Sequence, residues 1–144
     1  MKWYLKVMRN YSQFNGRARR KEYWMFTLFN TLFYILAATI DGALGLVFGL
    51  SIIYYLVVLI PSLSVAVRRL HDVGKSGWFL LLGVVPSFIG GSLLIIFPAN
   101  VGVATVAGGL MGIMSIIFGI WIFILFCSNS KPGENKYGPN PKES

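Results

Sequence analysis

Four long apolar runs without a single charged side chain constrain this chain more than any other feature: Tyr23 to Ile40, Ala43 to Val67, Trp78 to Phe97 and Val101 to Phe126. A helix needs about 20 residues to cross a hydrocarbon core, within a range of about 17 to 25, so each run can span and the longer ones can tilt. Buried core helices of a soluble protein would need polar faces on neighbouring segments to meet water. A chain that is 56% hydrophobic and only 12% charged cannot supply them. Lipid also forces backbone groups to bond internally, which a helix does within one segment. The expected fold is all-α: an integral membrane four-helix bundle forming a single domain over 1–144, with spans at about 23–40, 43–67, 78–97 and 101–126.

The first apolar run follows a long basic, aromatic segment and lacks a short hydrophobic region with a small-residue cleavage site. It reads as a retained first helix rather than a cleaved signal. The lone Cys127 cannot form an internal disulfide, so stability has to come from packing. Orientation follows from the positive charges, which short cytoplasmic loops retain. All thirteen basic residues fall before Tyr23, between Arg68 and Lys75, or after Cys127, which is one side of a four-span arrangement. The turns at Asp41-Gly42 and Pro98 to Gly102, on the other side, carry none. Both termini are expected in the cytoplasm, with residues 127–144 as a cytoplasmic tail. The net charge of +8 stands beside membrane spans, so anionic headgroups are nearer partners than nucleic acid.

Residues 1–22 form an interfacial segment and a basic collar. At about 100° per residue, Lys2, Lys6, Arg9 and Gln13 share one arc, while Trp3, Tyr4, Val7, Met8, Tyr11 and Phe14 cluster opposite. That pattern suits an amphipathic helix lying in the interface. An aromatic segment packed on the underside of the bundle is the alternative. Asn15-Gly16 breaks the pattern, and Arg17 to Glu22 make the collar before Tyr23-Trp24. Arg19 and Glu22, one turn apart, are placed for a local ion pair.

Small residues recur at one-turn spacing: Gly45 with Gly49, Gly83 with Ser87 and Gly91, Gly108 with Gly112, Ser115 with Gly119. Such spacing lets helices approach closely, either inside the bundle or across a homodimer face. Pro61 and Pro86 each remove a backbone donor within a span. The tail, rich in turn formers, reads as extended, with Tyr137 placed to pin it to the cytoplasmic face.

Little of this supports chemistry. Driven transporters keep an ionisable group inside the membrane, and none stands in the middle of these runs. Asp41 lies at an outer turn, where it is solvated or attracts cations. His71, Asp72, Glu22 and Cys127 lack the paired Cys and His of zinc sites, so neither a metal nor any other cofactor is expected. Ser76, His71 and Asp72 have the atoms of a hydrolase triad, but neighbouring His71 and Asp72 diverge on a helix and no nucleophile elbow surrounds Ser76.

The stretch Arg68 to Trp78 is better read as geometry. If the second span stays helical through Asp72, Arg68 and Asp72 share a face at i,i+4, and Arg69 reaches Asp72 at i,i+3. Val73-Gly74 then stop the helix, Lys75 to Gly77 carry the chain over, and Ser76 caps the third span. Early N–H groups beside arginine and lysine suit a phosphate. Titration of His71 near its reference value of about 6.5 would make this loop pH-sensitive.

Three segments, FNGRARRKEYW at Phe14 to Trp24, RRLHDVGKSGWF at Arg68 to Phe79 and PGENKYGPNP at Pro132 to Pro141, together resemble the YhaH-like family of small bacterial inner-membrane proteins, a family of unknown function. The resemblance covers nearly the whole chain. It implies a four-span protein of the bacterial inner (cytoplasmic) membrane, and no activity comes with it. Its motif positions here are Gly16, Arg17, Arg20, Glu22 and Trp24; Arg68 to Asp72, Gly74 and Ser76 to Trp78; Gly133, Asn135 and Tyr137 to Pro139. All three segments fall on the expected cytoplasmic side. The leading expectation is a non-enzymatic protein whose collar, loop and tail assemble into one polar cap built from Arg17, Arg20, Glu22, Arg68, Arg69, His71, Asp72, Lys75, Ser76 and Tyr137. Such a cap would bind anionic phospholipid headgroups, a second copy or a membrane-protein partner. A small-solute transporter or channel component would instead need a polar path near Pro61 and Pro86, and a lipid-acting enzyme would need His71 and Asp72 to converge in a concave site.

Overall fold

The computed structural model describes residues 2–47, 49–96 and 101–141. Phe97, positions 98–100 of the second outer turn and Lys142 lie outside them. The described elements are five helices: α1 (Lys2–Arg9), α2 (Arg20–Ala43), α3 (Leu50–Asp72), α4 (Phe79–Ile96) and α5 (Val101–Cys127). Arg20–Ala43, Leu50–Asp72 and Gly102–Cys127 are long and apolar enough to cross a membrane, and the apolar stretch Phe79–Leu93 is shorter. Their outward residues, among them Leu28, Leu32, Ile53, Leu56, Ile116 and Ile120, are exposed. An uncovered surface this apolar suits lipid, because soluble proteins keep such patches small.

The chain forms two compact units, Met1–Gly74 with Asn129–Ser144, and Lys75–Ser128. The first contains α1, α2, α3 and the tail. Val7, Ala18, Phe26 and Val65 form its buried core, with Tyr4, Met8 and Tyr23 packed around them. The aromatic face of α1 supplies much of this contact. Tyr4 stacks on Phe26 at 5.3 Å and meets Phe33 edge-on at 5.5 Å. Its hydroxyl lies 3.4 Å from that of Tyr54, which donates to Asn30 Oδ1 at 2.7 Å. From Arg9 the segment follows α3: Tyr11 bonds to Val57, Gln13 to Ser64 and Ala18 to Arg68.

Two turns set the limits of α3. The apolar run begins at Ala43, but the helix begins at Leu50, because Gly45 at φ +68° turns the chain. Gly45 and Gly49 therefore lie in the connection rather than inside a span. Asp41, 5% exposed, accepts the N–H groups of Leu50 and Ser51 at 2.8 Å each and the Ser51 hydroxyl at 2.6 Å. It acts as an N-cap delivered from the end of α2, satisfying donors the first turn leaves unpaired. A Cβ at Gly49 would overlap that carboxylate. At the other end Gly74 takes φ +76°, and its N–H bonds to the His71 carbonyl at 2.9 Å. Left-handed glycine is the usual helix stop.

Within α3, Pro61 is fully buried and has no N–H for the Val57 carbonyl four residues back. The Tyr11 hydroxyl donates to that carbonyl at 2.8 Å. The proline's unsatisfied acceptor is thus met by the segment that follows α1.

In the second unit α4 packs on α5. A Cβ at Gly90 would meet Met111 Cβ at 3.0 Å and the Gly108 carbonyl at 3.2 Å, so the two backbones approach closely there. Gly91, Gly112 and Gly119 have open space around them.

Candidate functional site

The end of α3 carries Arg68, Arg69, Leu70, His71 and Asp72, all buried. A helix end with this much charge can be buried only if the charges pair and bond. Asp72 is the centre of that pairing. Its side chain is fully buried, and its carboxylate accepts from Arg17 Nε at 3.1 Å, from Arg69 Nη1 and from Ser130 Oγ at 2.6 Å. Its backbone carbonyl takes the Lys131 N–H at 3.1 Å. Collar, helix end and tail therefore meet at one residue.

Arg17 supplies the complementary fork. Beyond Asp72 Oδ1, Nη1 donates to the Gly133 carbonyl at 2.7 Å and the Gly138 carbonyl at 3.3 Å. Nη2 donates to the Lys131 carbonyl at 2.6 Å and the Asp72 carbonyl at 3.4 Å. A guanidinium presents five N–H groups in a fixed plane, a geometry that lysine does not share. Here it orders the turn-rich tail, where Gly133 and Gly138 both take positive φ.

A second pair lies beside it. Glu22, 1% exposed, bonds through Oε1 to Arg68 Nη1 and through Oε2 to Lys6 Nζ, both at 2.8 Å. Arg68 therefore turns to Glu22 while Arg69 takes Asp72, a division that helical spacing alone leaves open. Arg68 Nε and Nη2 are buried and have no acceptor among the described residues. Three buried arginines face two buried carboxylates, so this cluster carries excess positive charge.

His71 joins the same three segments through its ring. The imidazole stacks on Tyr137 with centroids 3.7 Å apart and planes 5° from parallel. Its Nδ1 lies 3.2 Å from the Gly16 carbonyl. A carbonyl only accepts, so Nδ1 carries the proton in this arrangement. Asn135 Nδ2 donates to the His71 carbonyl at 3.0 Å.

The other expected residues are placed differently. Arg20 is exposed and bonds through Nη1 to Asn129 Oδ1 at 2.9 Å. Lys75 and Ser76 belong to the second unit. Lys75 Nζ stands over the rings of Phe79 and Trp121 at 5.7 and 5.9 Å, and Ser76 Oγ meets the Trp78 N–H at 3.5 Å, a long cap bond. Sequence reasoning missed Lys6 as the partner of Glu22 and Ser130 as a partner of Asp72. It also missed Tyr11 on Val57. The i−4 rule for Pro61 could have exposed the free carbonyl, though not the side chain that fills it. Among the described residues no group of three His, Cys, Asp or Glu side chains is placed to hold a metal ion.

Long apolar helices, two of which close on a buried ionic cluster, define a small helical integral membrane protein. The family described as Protein of unknown function (DUF805) matches residues 11–139, a range that holds the collar, the helix end and the bonded part of the tail. The chain belongs to that family. It is 38% identical to Inner membrane protein YhaH of Escherichia coli (strain K12), over 99% of this chain and 98% of that one. It is 40% identical to Inner membrane protein YhaI of the same organism, over 99% of this chain and 97% of that one. No solved structure matches.

Proposed function

We propose that this chain is a non-enzymatic, four-span protein of the bacterial inner membrane, with both termini cytoplasmic and a polar cap that binds anionic headgroups or a protein partner. The observation that carries this reading is Asp72, whose bonds to Arg17, Arg69 and Ser130 tie segments more than fifty residues apart into one body. Loops that merely anchored spans would not need so buried a junction. The eighteen residues of α4 extend about 27 Å at 1.5 Å per residue, near the lower limit for a crossing, which supports a fourth span. The names of the relatives support the inner membrane.

The paired arginines are internal, so in this reading they assemble the cap while its exposed rim, including Arg20, Lys131 and Lys136, meets headgroups or a partner. A fusion of alkaline phosphatase after Ser144 tests the orientation: activity is expected to be low in cells that process the same reporter when it is exported. Strong activity would overturn the cytoplasmic placement of the cap.

A further inference from the structure

A second basic surface lies beside the cap, on α1, joined to it through the Lys6–Glu22 pair. Lys2, Leu5, Lys6, Arg9 and Asn10 line a shallow groove of about 270 Å³. Lys2, Leu5, Lys6 and Arg9 stand one turn apart and share a helix face. Packing of Tyr4 and Val7 into the core of the first unit turns the opposite face inward and holds this one outward.

The three cations are not equivalent. Lys6 is drawn to Glu22 and lies 5.5 Å from the Trp3 ring centroid, which fixes one wall of the groove. Among the described residues Lys2 and Arg9 have no carboxylate partner. Two unpaired cations flank a third that is already oriented, with the Asn10 amide beside them. A single phosphodiester has the charge and the acceptors such a groove lacks. Leu5, half exposed among the cations, gains nothing from a free inorganic ion or from nucleic acid, but it suits the apolar side of an amphiphile.

We infer that the α1 groove is a binding site for the phosphate of an anionic phospholipid, with Lys2, Lys6 and Arg9 contacting the headgroup and Leu5 its glycerol and acyl base. The inference rests on the reading of this chain as a membrane protein, and not on which side of the membrane its termini occupy. A volume below that of sites for drug-sized ligands, about 300 to 1,000 Å³, fits a headgroup whose tails remain in the bilayer.

The full chain in zwitterionic detergent provides the test, with bound lipid counted by native mass spectrometry during titration with short-chain phosphatidylglycerol, matched phosphatidylcholine and inorganic phosphate. Phosphatidylglycerol is expected to bind at least about tenfold more tightly than phosphatidylcholine, with inorganic phosphate a weak competitor. Lys2→Gln with Arg9→Gln should weaken phosphatidylglycerol by about 30-fold, the equivalent of about 2 kcal/mol for two interfacial cations. The charge-preserving pair Lys2→Arg and Arg9→Lys should retain the preference. Lys131→Gln with Lys136→Gln, on the tail, should leave it in place. Equal binding of the two lipids by the unaltered protein overturns the site, and that comparison stands even if the glutamine pair misfolds. Efficient competition by inorganic phosphate overturns the lipid as occupant, and an equal loss in the tail variant relocates binding to the cap. Micelles have no sides, so the outcome is independent of the phosphatase fusion.

Discussion

Arg17 grips Asp72 twice, Nε on the carboxylate at 3.1 Å and Nη2 on the backbone carbonyl at 3.4 Å, while its remaining N–H groups hold the tail. The pair is at most 1% exposed. Removing one member of a buried pair strands the other, at a cost of about 3–5 kcal/mol. Arg17→Lys keeps the charge but not the fork, so it should destabilise the first unit by about 2–3 kcal/mol. The expected signature is a lower Tm in detergent together with rapid proteolysis after Asn129. A tail as resistant as in the parent would show that the fork is dispensable.

Tyr11 and Pro61 should be energetically coupled. Tyr11→Phe removes the side-chain donor to the Val57 carbonyl and is expected to cost about 0.5–1.5 kcal/mol. Pro61→Ala restores an N–H to the same carbonyl, so the loss on Tyr11→Phe should shrink in that background. A double-mutant cycle by thermal denaturation measures the difference. Equal losses in both backgrounds would falsify the link.

Asp41→Ala should loosen the start of α3 by about 1–2 kcal/mol, the usual worth of an N-cap. Hydrogen exchange locates the effect: faster exchange is expected at Leu50 and Ser51, with little change near Asp72. A uniform loss of protection along α3 would mean that Asp41 acts otherwise than as a cap.

The stack of His71 on Tyr137 predicts a graded series. Tyr137→Phe keeps the ring and should leave the tail ordered, whereas Tyr137→Ala should release Asn135 to Gly138 at a cost of about 0.5–1.5 kcal/mol beyond lost burial. Tail amide exchange reads both. Identical exchange in the two variants would remove the ring as the tail's anchor.

The helices were legible because their cause is local: an uncharged run of sufficient length has few conformations open to it in lipid. The stop at Gly74 was legible for the same reason. The partition of charges at the end of α3 was not. Helical spacing puts both Arg68 and Arg69 within reach of Asp72, and only the arrival of Glu22 from α2 draws Arg68 away. The bonds of Arg17 to the Lys131, Gly133 and Gly138 carbonyls are likewise invisible in a residue pattern, since every residue offers a carbonyl. Asp41 reads in the sequence as a solvated turn residue because the start of the next helix, nine residues on, is hidden inside an apolar run. His71 finds its ring partners, Gly16 and Tyr137, only when both collar and tail are in place.

The junction at Asp72 also imposes an order on biosynthesis. Chains emerge from the ribosome amino end first, so Arg17 and Asp72 are made well before Ser130, which follows the last helix. Until that serine and the carbonyls after it arrive, the guanidinium and carboxylate lack acceptors and donors that the finished protein supplies. A product truncated within α5 would possess most of its apolar helices and yet no closed cap. Completion of translation is thereby registered as burial of charge.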